Sequence, residues 1–226
     1  MRTAAHLRLG ITSVAIDCGP DFRQQMLAAN IQHLDAIVMT HEHNDHIVGL
    51  DDVRPYNFKQ GGDMPVFATQ KVQTELRTRF AYVFAEGDKR YPGAPMVSLV
   101  QIDKKTVFTI KDISFTPVEV MHGKLPILGF RVGDFAYLTD VRQIEEPEMH
   151  KLQNLHTLVV NALHHTEHYS HLNLEGALDL IQTLKPQRSF LTHMSHRMGK
   201  HATINKTLPF GVELGYDGLQ FSVPMP

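Results

Sequence analysis

Apolar and polar positions alternate along several short stretches of the chain, and each stretch stops at turn-forming residues. Residues 13–17 read as a strand ending at Cys18-Gly19-Pro20, after which Asp21 is placed to cap a helix over 22–29. Residues 36–40 form a short buried strand that runs straight into polar residues. A helical turn follows at 51–57, a strand at 66–68 and an amphipathic helix at 71–84; residues 87–95, with two glycines and two prolines, are a loop. From 97 to 138 the period is two and Val, Ile, Phe and Thr are frequent. This gives strands over 97–102, 107–110, 113–120, 127–132 and 135–138. Further strands fall at 157–161, 189–191 and 219–223. Helices cover 203–208 and 174–184, the latter stopped before Lys185-Pro186. Antiparallel-looking strands interleaved with helices, with no linker between them, indicate one mixed α/β domain over 1–226.

Four of these strands end in chemically active residues: Thr40-His41, Met121-His122, Thr139-Asp140 and Thr192-His193. The first end is the densest, with three histidines and two acids in His41-Glu42-His43-Asn44-Asp45-His46. His41 and His43 are two apart, so on extended backbone they point to the same side and can reach one ion. Asp45 and His46 are adjacent, face differently, and suit a second ion beside it. Neutral imidazole and carboxylate are ligands for zinc, manganese or iron. A lone histidine after a strand is more often a hydrogen-bonded residue than a ligand, so His122 and His193 say little singly. The cluster at 41–46 carries the inference, because so many polar groups at one strand end have no evident partner without a metal. Asp140 has two oxygens and could bridge both ions.

Composition narrows the setting. The chain has 226 residues, 42% of them hydrophobic, enough for a large core. Its single cysteine, Cys18, excludes an intrachain disulfide and a cysteine-based zinc site, and fits a reducing, cytoplasmic compartment. With 22 basic against 24 acidic residues, nothing makes nucleic acid an obligatory partner. No apolar run approaches the roughly 20 residues that span a bilayer, and "MRTAAHLRLGITS" does not read as a signal peptide. The outlier is histidine, 15 residues, many at strand-to-loop transitions rather than in a terminal run.

"THEHNDHIVGL" (residues 40–50) resembles the T-H-x-H-x-D-H signature of the metallo-β-lactamase-fold hydrolases. "IDCGPDF", "VMHG", "AYLTD" and "FLTHMS" resemble that family's remaining motifs, in its order, between residues 16 and 195. The resemblance implies a four-layer αββα sandwich holding two divalent metal ions, zinc or manganese, with iron a third candidate. It implies His41, His43 and His122 on the first ion, Asp45, His46 and His193 on the second, and Asp140 bridging. "DCGPDFRQQML", "HNDHIVGLDDVRPYN" and "LTHMSHRMG" are most similar to the PhnP-like branch, which resembles phosphoribosyl 1,2-cyclic phosphate phosphodiesterase.

The activity so implied is cleavage of a small or cyclic phosphodiester by a metal-bridging hydroxide, with Asp45 in the catalytic centre and His171 as general acid. His168, His165 and His164 are the alternatives to His171. The alternatives to that function are a tRNA 3′-processing endonuclease, whose long basic arm is not recognisable here, and a non-catalytic metal-binding homologue. A glyoxalase II-type thioesterase would give His171 no task. A homodimer is in keeping with relatives of this branch, and no membrane partner is expected.

PhnP-like chains usually begin with a strand, a Gly-Thr-Gly-Thr-Ser-like loop and a cysteine segment for a structural zinc. "MRTAAHLRL" resembles the segment after that point, so the sandwich is expected without its usual first strand. His196 matches the histidine of the structural zinc but has no cysteine partners, and no third metal is expected. Asp17 is either a carboxylate that orients a ligand histidine or a cap on the Gly19-Pro20 turn. Arg54, Tyr56 and Arg197 are weaker candidates for substrate contact, with structural or solvated roles the ordinary expectation.

Overall fold

The computed structural model describes residues 1–87 and 91–224. Of the loop expected over 87–95, residues 88–90 lie outside that range. The chain divides into two compact units, Met1–Ile113 and Ser114–Pro226. In chain order the strands are β1 (Ala5–Leu9), β2 (Thr12–Ile16), β3 (Ala36–Val38), β4 (Met64–Ala68), β5 (Val97–Gln101), β6 (Phe108–Ile110), β7 (Ile113–His122), β8 (Leu125–Val132), β9 (Phe135–Leu138), β10 (Thr157–Asn161), β11 (Arg188–Thr192) and β12 (Val212–Leu214). The helices are α1 (Phe22–Ala28), α2 (Asn44–Ile47), α3 (Arg54–Gln60), α4 (Gln70–Arg79), α5 (Glu146–Met149), α6 (Leu174–Leu184) and α7 (His201–Ile204).

The first unit is built on a five-stranded sheet ordered β1-β2-β3-β4-β5. Only the β1–β2 hairpin is antiparallel; β2 to β5 run parallel. Strands β2 and β3 are buried at every position. That is how parallel strands covered on both faces read, as apolar runs without alternation. Phe22, Ile37, Met39, Ile47, Leu50 and Leu76 are fully buried in the core of this unit. Strand β1 has no counterpart in the sequence reading. Its pattern is half-buried, and it turns into β2 through Gly10, whose φ of +56° suits a residue without a side chain. Asp21 precedes α1 but makes no capping bond from its side chain, which accepts the Arg2 backbone N–H instead. The helix expected to reach residue 84 ends at Arg79.

The second sheet has seven strands ordered β12-β11-β10-β9-β8-β7-β6. Strands β7, β8 and β9 form an antiparallel meander, whereas β9, β10, β11 and β12 are parallel. In this sheet the antiparallel expectation therefore holds for the meander and fails from β9 to β12. The reason is α6, which occupies the crossover between β10 and β11; such a connection makes its two strands parallel. Asn173 caps α6 by accepting the Gly176 N–H at 3.0 Å, and Lys185, in left-handed conformation, ends it before Pro186. The strand expected at 219–223 is irregular, and the edge strand is β12. The apolar alternation there serves packing instead: the Phe221 ring stacks on Phe190 at 4.6 Å and the Arg188 guanidinium lies over it. Val118, Leu138, Leu158, Val160 and Leu191 fill the core of the second unit. No helix of the described residues is long and apolar enough to cross a membrane.

Candidate metal centre

In the first unit, β2 and β3 end side by side and hand their polar residues to the same place. Asp17 follows β2 in left-handed conformation, φ +65°, fully buried. Its Oδ1 accepts the Thr40 N–H at 2.8 Å, and its Oδ2 accepts the Thr40 hydroxyl at 2.8 Å and His46 Nδ1 at 2.7 Å. The Thr40 hydroxyl spends its one proton on Asp17, so at 2.9 Å from His41 Nδ1 it is the acceptor. Both rings are thereby fixed as Nδ1–H tautomers, with Nε2 as the acceptor nitrogen. His41 Nε2 and His43 Nδ1 approach to 3.1 Å. That is close to the edge of a tetrahedron of zinc–nitrogen bonds of about 2.0–2.1 Å, roughly 3.3 Å. Asp17 is thus an orienting carboxylate, not a cap for the following turn.

Two glycines make this arrangement possible. Cys18 N–H donates to the His46 carbonyl and Gly49 N–H to the Cys18 carbonyl, both at 2.8 Å. A Cβ on Gly19 would run into the Asp45 carbonyl oxygen, and one on Gly49 into the Gly19 carbonyl oxygen and, at 2.8 Å, Phe22 Cβ. The segment after β2 and the turn at 45–49 therefore touch backbone to backbone. Burial, helped by the charges of Asp17 and Asp52, pushes the Cys18 thiol well above its ordinary range, so Cys18 is a small inert hydrophobe.

In the second unit, His122 closes β7. Its Nδ1 lies 3.0 Å from the Asp140 carbonyl and 2.9 Å from the Ser170 carbonyl, so Nδ1 carries the proton and Nε2 is the ligand atom. Asp140 follows Thr139 with φ +58°, and its Oδ2 accepts the Thr139 hydroxyl. His171 Nε2 and His193 Nε2 both converge on Asp140 Oδ1, at 3.0 and 3.2 Å. His193 also sits in left-handed backbone, φ +54°. The other nitrogen of His171 is 3.0 Å from Ser170 Oγ and 3.2 Å from His168 Nδ1. Burial pushes His168 below the ordinary histidine range, and the charges of His171, His164 and Arg197 add to this.

Within each unit the sequence-derived residues come together: His41, His43, Asp45 and His46 in the first, His122, Asp140, His171 and His193 in the second. Of the alternatives to His171, His168 contacts it, whereas His165 is tied to the Met198 carbonyl at 2.9 Å and His164 to Thr166 at 3.1 Å. Tyr56 is structural, donating to the Ile31 carbonyl at 2.9 Å. Arg197 is exposed and reaches Thr166. Asn161 went unread. At the end of β10 it is fully buried, and its amide accepts the Val141 N–H at 2.6 Å and donates to the Val141 carbonyl at 3.1 Å. It thereby staples the residue that follows Asp140. A polar residue closing the apolar run at 158–160 was the available signal.

Imidazoles and carboxylates held at strand ends of two mixed sheets define an α/β protein equipped to bind metal. Residues 12–194 match the beta-lactamase superfamily domain, and the chain belongs to that superfamily. The crystal structure of a diphosphatase from the PhnP family matches with a TM-score of 0.89 and 36% identity, over 97% of this chain and 82% of that one. Among curated proteins, an octanoyltransferase of Porphyromonas gingivalis is 40% identical over 208 residues, 92% of this chain but 42% of that protein. Ribonuclease Z of Bacillus licheniformis is 30% identical over 156 residues, 64% of this chain and 48% of that protein. The chain spans less than half the length of these two curated relatives.

Proposed function

We propose that the protein is a metal-dependent hydrolase of phosphodiesters, acting on a small or cyclic substrate. In this reading His41, His43 and His122 would hold one divalent ion, Asp45, His46 and His193 would hold a second, and Asp140 would serve both. One observation carries it. His41, His46 and His122 each have Nδ1 committed to a protein acceptor, and this leaves Nε2 as the acceptor nitrogen that metal ligation requires. All donors are imidazole nitrogens and carboxylate oxygens, which suit zinc, manganese or iron alike.

When bound, two such ions lower the pKa of a shared water and neutralise charge gathering on the attacked phosphorus centre. The remaining work falls to the chain. Asp140 can only accept, so His171 holds a proton at Nε2. That proton is placed for transfer to a leaving alkoxide, the task of a general acid. Ser170 and His168 hold the ring's other edge. The PhnP-family diphosphatase, of which 82% is covered, supports the small-substrate end of the reading. The acyl transfer in the octanoyltransferase's name belongs to a protein of which 42% is shared, and is not carried over.

The identity to ribonuclease Z favours RNA as the second reading. The test is a panel of bis(p-nitrophenyl) phosphate, 2′,3′-cyclic nucleotides and a tRNA precursor, with and without EDTA and with zinc or manganese restored. Turnover of the small esters that EDTA abolishes and metal restores is expected. Cleavage of the tRNA precursor alone would favour the second reading. Absence of any EDTA-sensitive turnover would overturn both.

A further inference from the structure

Glu42 and Asn44 alternate with His41, His43 and Asp45, and read as sequence they are spacers. In the first unit both are held by one helix. At the first turn of α4, Lys71 Nζ pairs with Glu42 Oε1 at 2.5 Å. At its last residue, Arg79 Nη1 donates to the Glu42 carbonyl and to Asn44 Oδ1, both at 2.7 Å. Arg79 Nη2 bonds Glu75 Oε2 at 3.0 Å, which braces the guanidinium against its own helix. The helix is a firm base: Thr69 caps it, and Val72 and Leu76 sink into the core.

We propose that Arg79 is a positioning residue for the metal-binding turn. It grips the peptide joining Glu42 to His43 and the side chain just before Asp45. The pair of ligands assigned to one ion and the pair assigned to its neighbour are thereby held at a set spacing. A planar guanidinium can direct several charge-assisted bonds at once, which a lysine ammonium does without the fixed fork. Lys71 complements it by holding the Glu42 carboxylate toward α4, where it does not compete with the imidazoles. The Lys71 pair is the weaker of the two, because its ammonium is largely exposed and screened.

The inference rests on the dinuclear reading, and the experiment separates the two. Wild type, Arg79→Ala, Arg79→Lys and Asn44→Ala are stripped of metal and titrated with Zn2+ against a chromophoric chelator. Each is then titrated with Co2+ while its visible spectrum is followed, and the melting temperature of each metal-free protein is recorded. Arg79→Ala should lose about 10- to 100-fold in metal affinity, the range for residues that orient ligands. Its Co2+ spectrum should change while its metal-free melting temperature stays at the wild-type value. Arg79→Lys should recover part of the loss, and Asn44→Ala should show a smaller one. Wild-type affinity and spectrum in Arg79→Ala would overturn the proposal, as would a loss that tracks a lower metal-free melting temperature. A wild type that takes up no ion overturns the dinuclear reading along with it.

Discussion

Asp17 Oδ2 lies 2.7 Å from His46 Nδ1, with both side chains sealed from solvent, and the same carboxylate sets the Thr40 hydroxyl that accepts from His41. One buried acid thus fixes the tautomers of two rings. Asp17→Asn replaces an acceptor oxygen with an amide donor. Metal affinity should fall about 10- to 100-fold, and stability by about 1–3 kcal/mol from the unsatisfied buried groups. Competition titration with a chelator and urea unfolding measure the two separately. Unchanged metal affinity would return Asp17 to a purely architectural role.

Gly49→Ala should destabilise the protein by about 1–3 kcal/mol, the ordinary cost of forcing atoms into a packed site. The added methyl meets backbone oxygen on Gly19 and the Phe22 side chain, neither of which can yield without moving the turn. Gly62→Ala, where a Cβ would meet nothing within 4 Å, is the matched control and should stay near wild type. Chemical denaturation of the metal-free protein distinguishes them.

His171→Ala should cost about 100- to 10,000-fold in kcat on a substrate with an alkoxide leaving group, the usual range for a general acid. The loss should be much smaller on bis(p-nitrophenyl) phosphate, whose leaving phenolate needs little protonation. Equal losses on both substrates would mean that His171 holds Asp140 in place rather than supplying a proton.

Asp35 gives a pH dependence away from the centre. Burial raises the pKa of this carboxyl, but hydrogen bonds from Lys111, His33 and the Ser13 N–H outweigh it and hold the carboxyl below its ordinary range. A depressed folded value contributes stability above the unfolded pKa of about 3.9, lost as pH falls through the folded value. Asp35→Asn should therefore lower the melting temperature at pH 7 and converge with wild type in strong acid. A constant difference from pH 7 to pH 2 would exclude this origin.

The elements legible in the sequence are those whose pattern has one physical cause. Strand β10 is buried at all five positions and α6 has a capping Asn173 and a stop at Pro186, so both appear at the expected bounds. The strand-end residues were legible for the same reason: an apolar run breaks abruptly into His or Asp. What stayed hidden depends on partners distant in sequence. Arg79 reaches Glu42 across 37 positions, and nothing near either residue announces it. Phe221 alternates like a strand residue because it packs on Phe190, and a pattern of apolar positions cannot separate packing from a ladder.

Asp17, Asp140 and His193 all occupy left-handed backbone, at φ +65°, +58° and +54°. For residues with side chains that conformation costs up to about 1–2 kcal/mol each, and glycine would bear it more easily. The consequence concerns descent. A lineage released from the need for activity would find a gain in heat tolerance at His193, whereas at Asp17 the bonds lost to Thr40 and His46 would outweigh the relief. Retired copies of this gene should shed that imidazole before the acids, and become hardier as they fall silent.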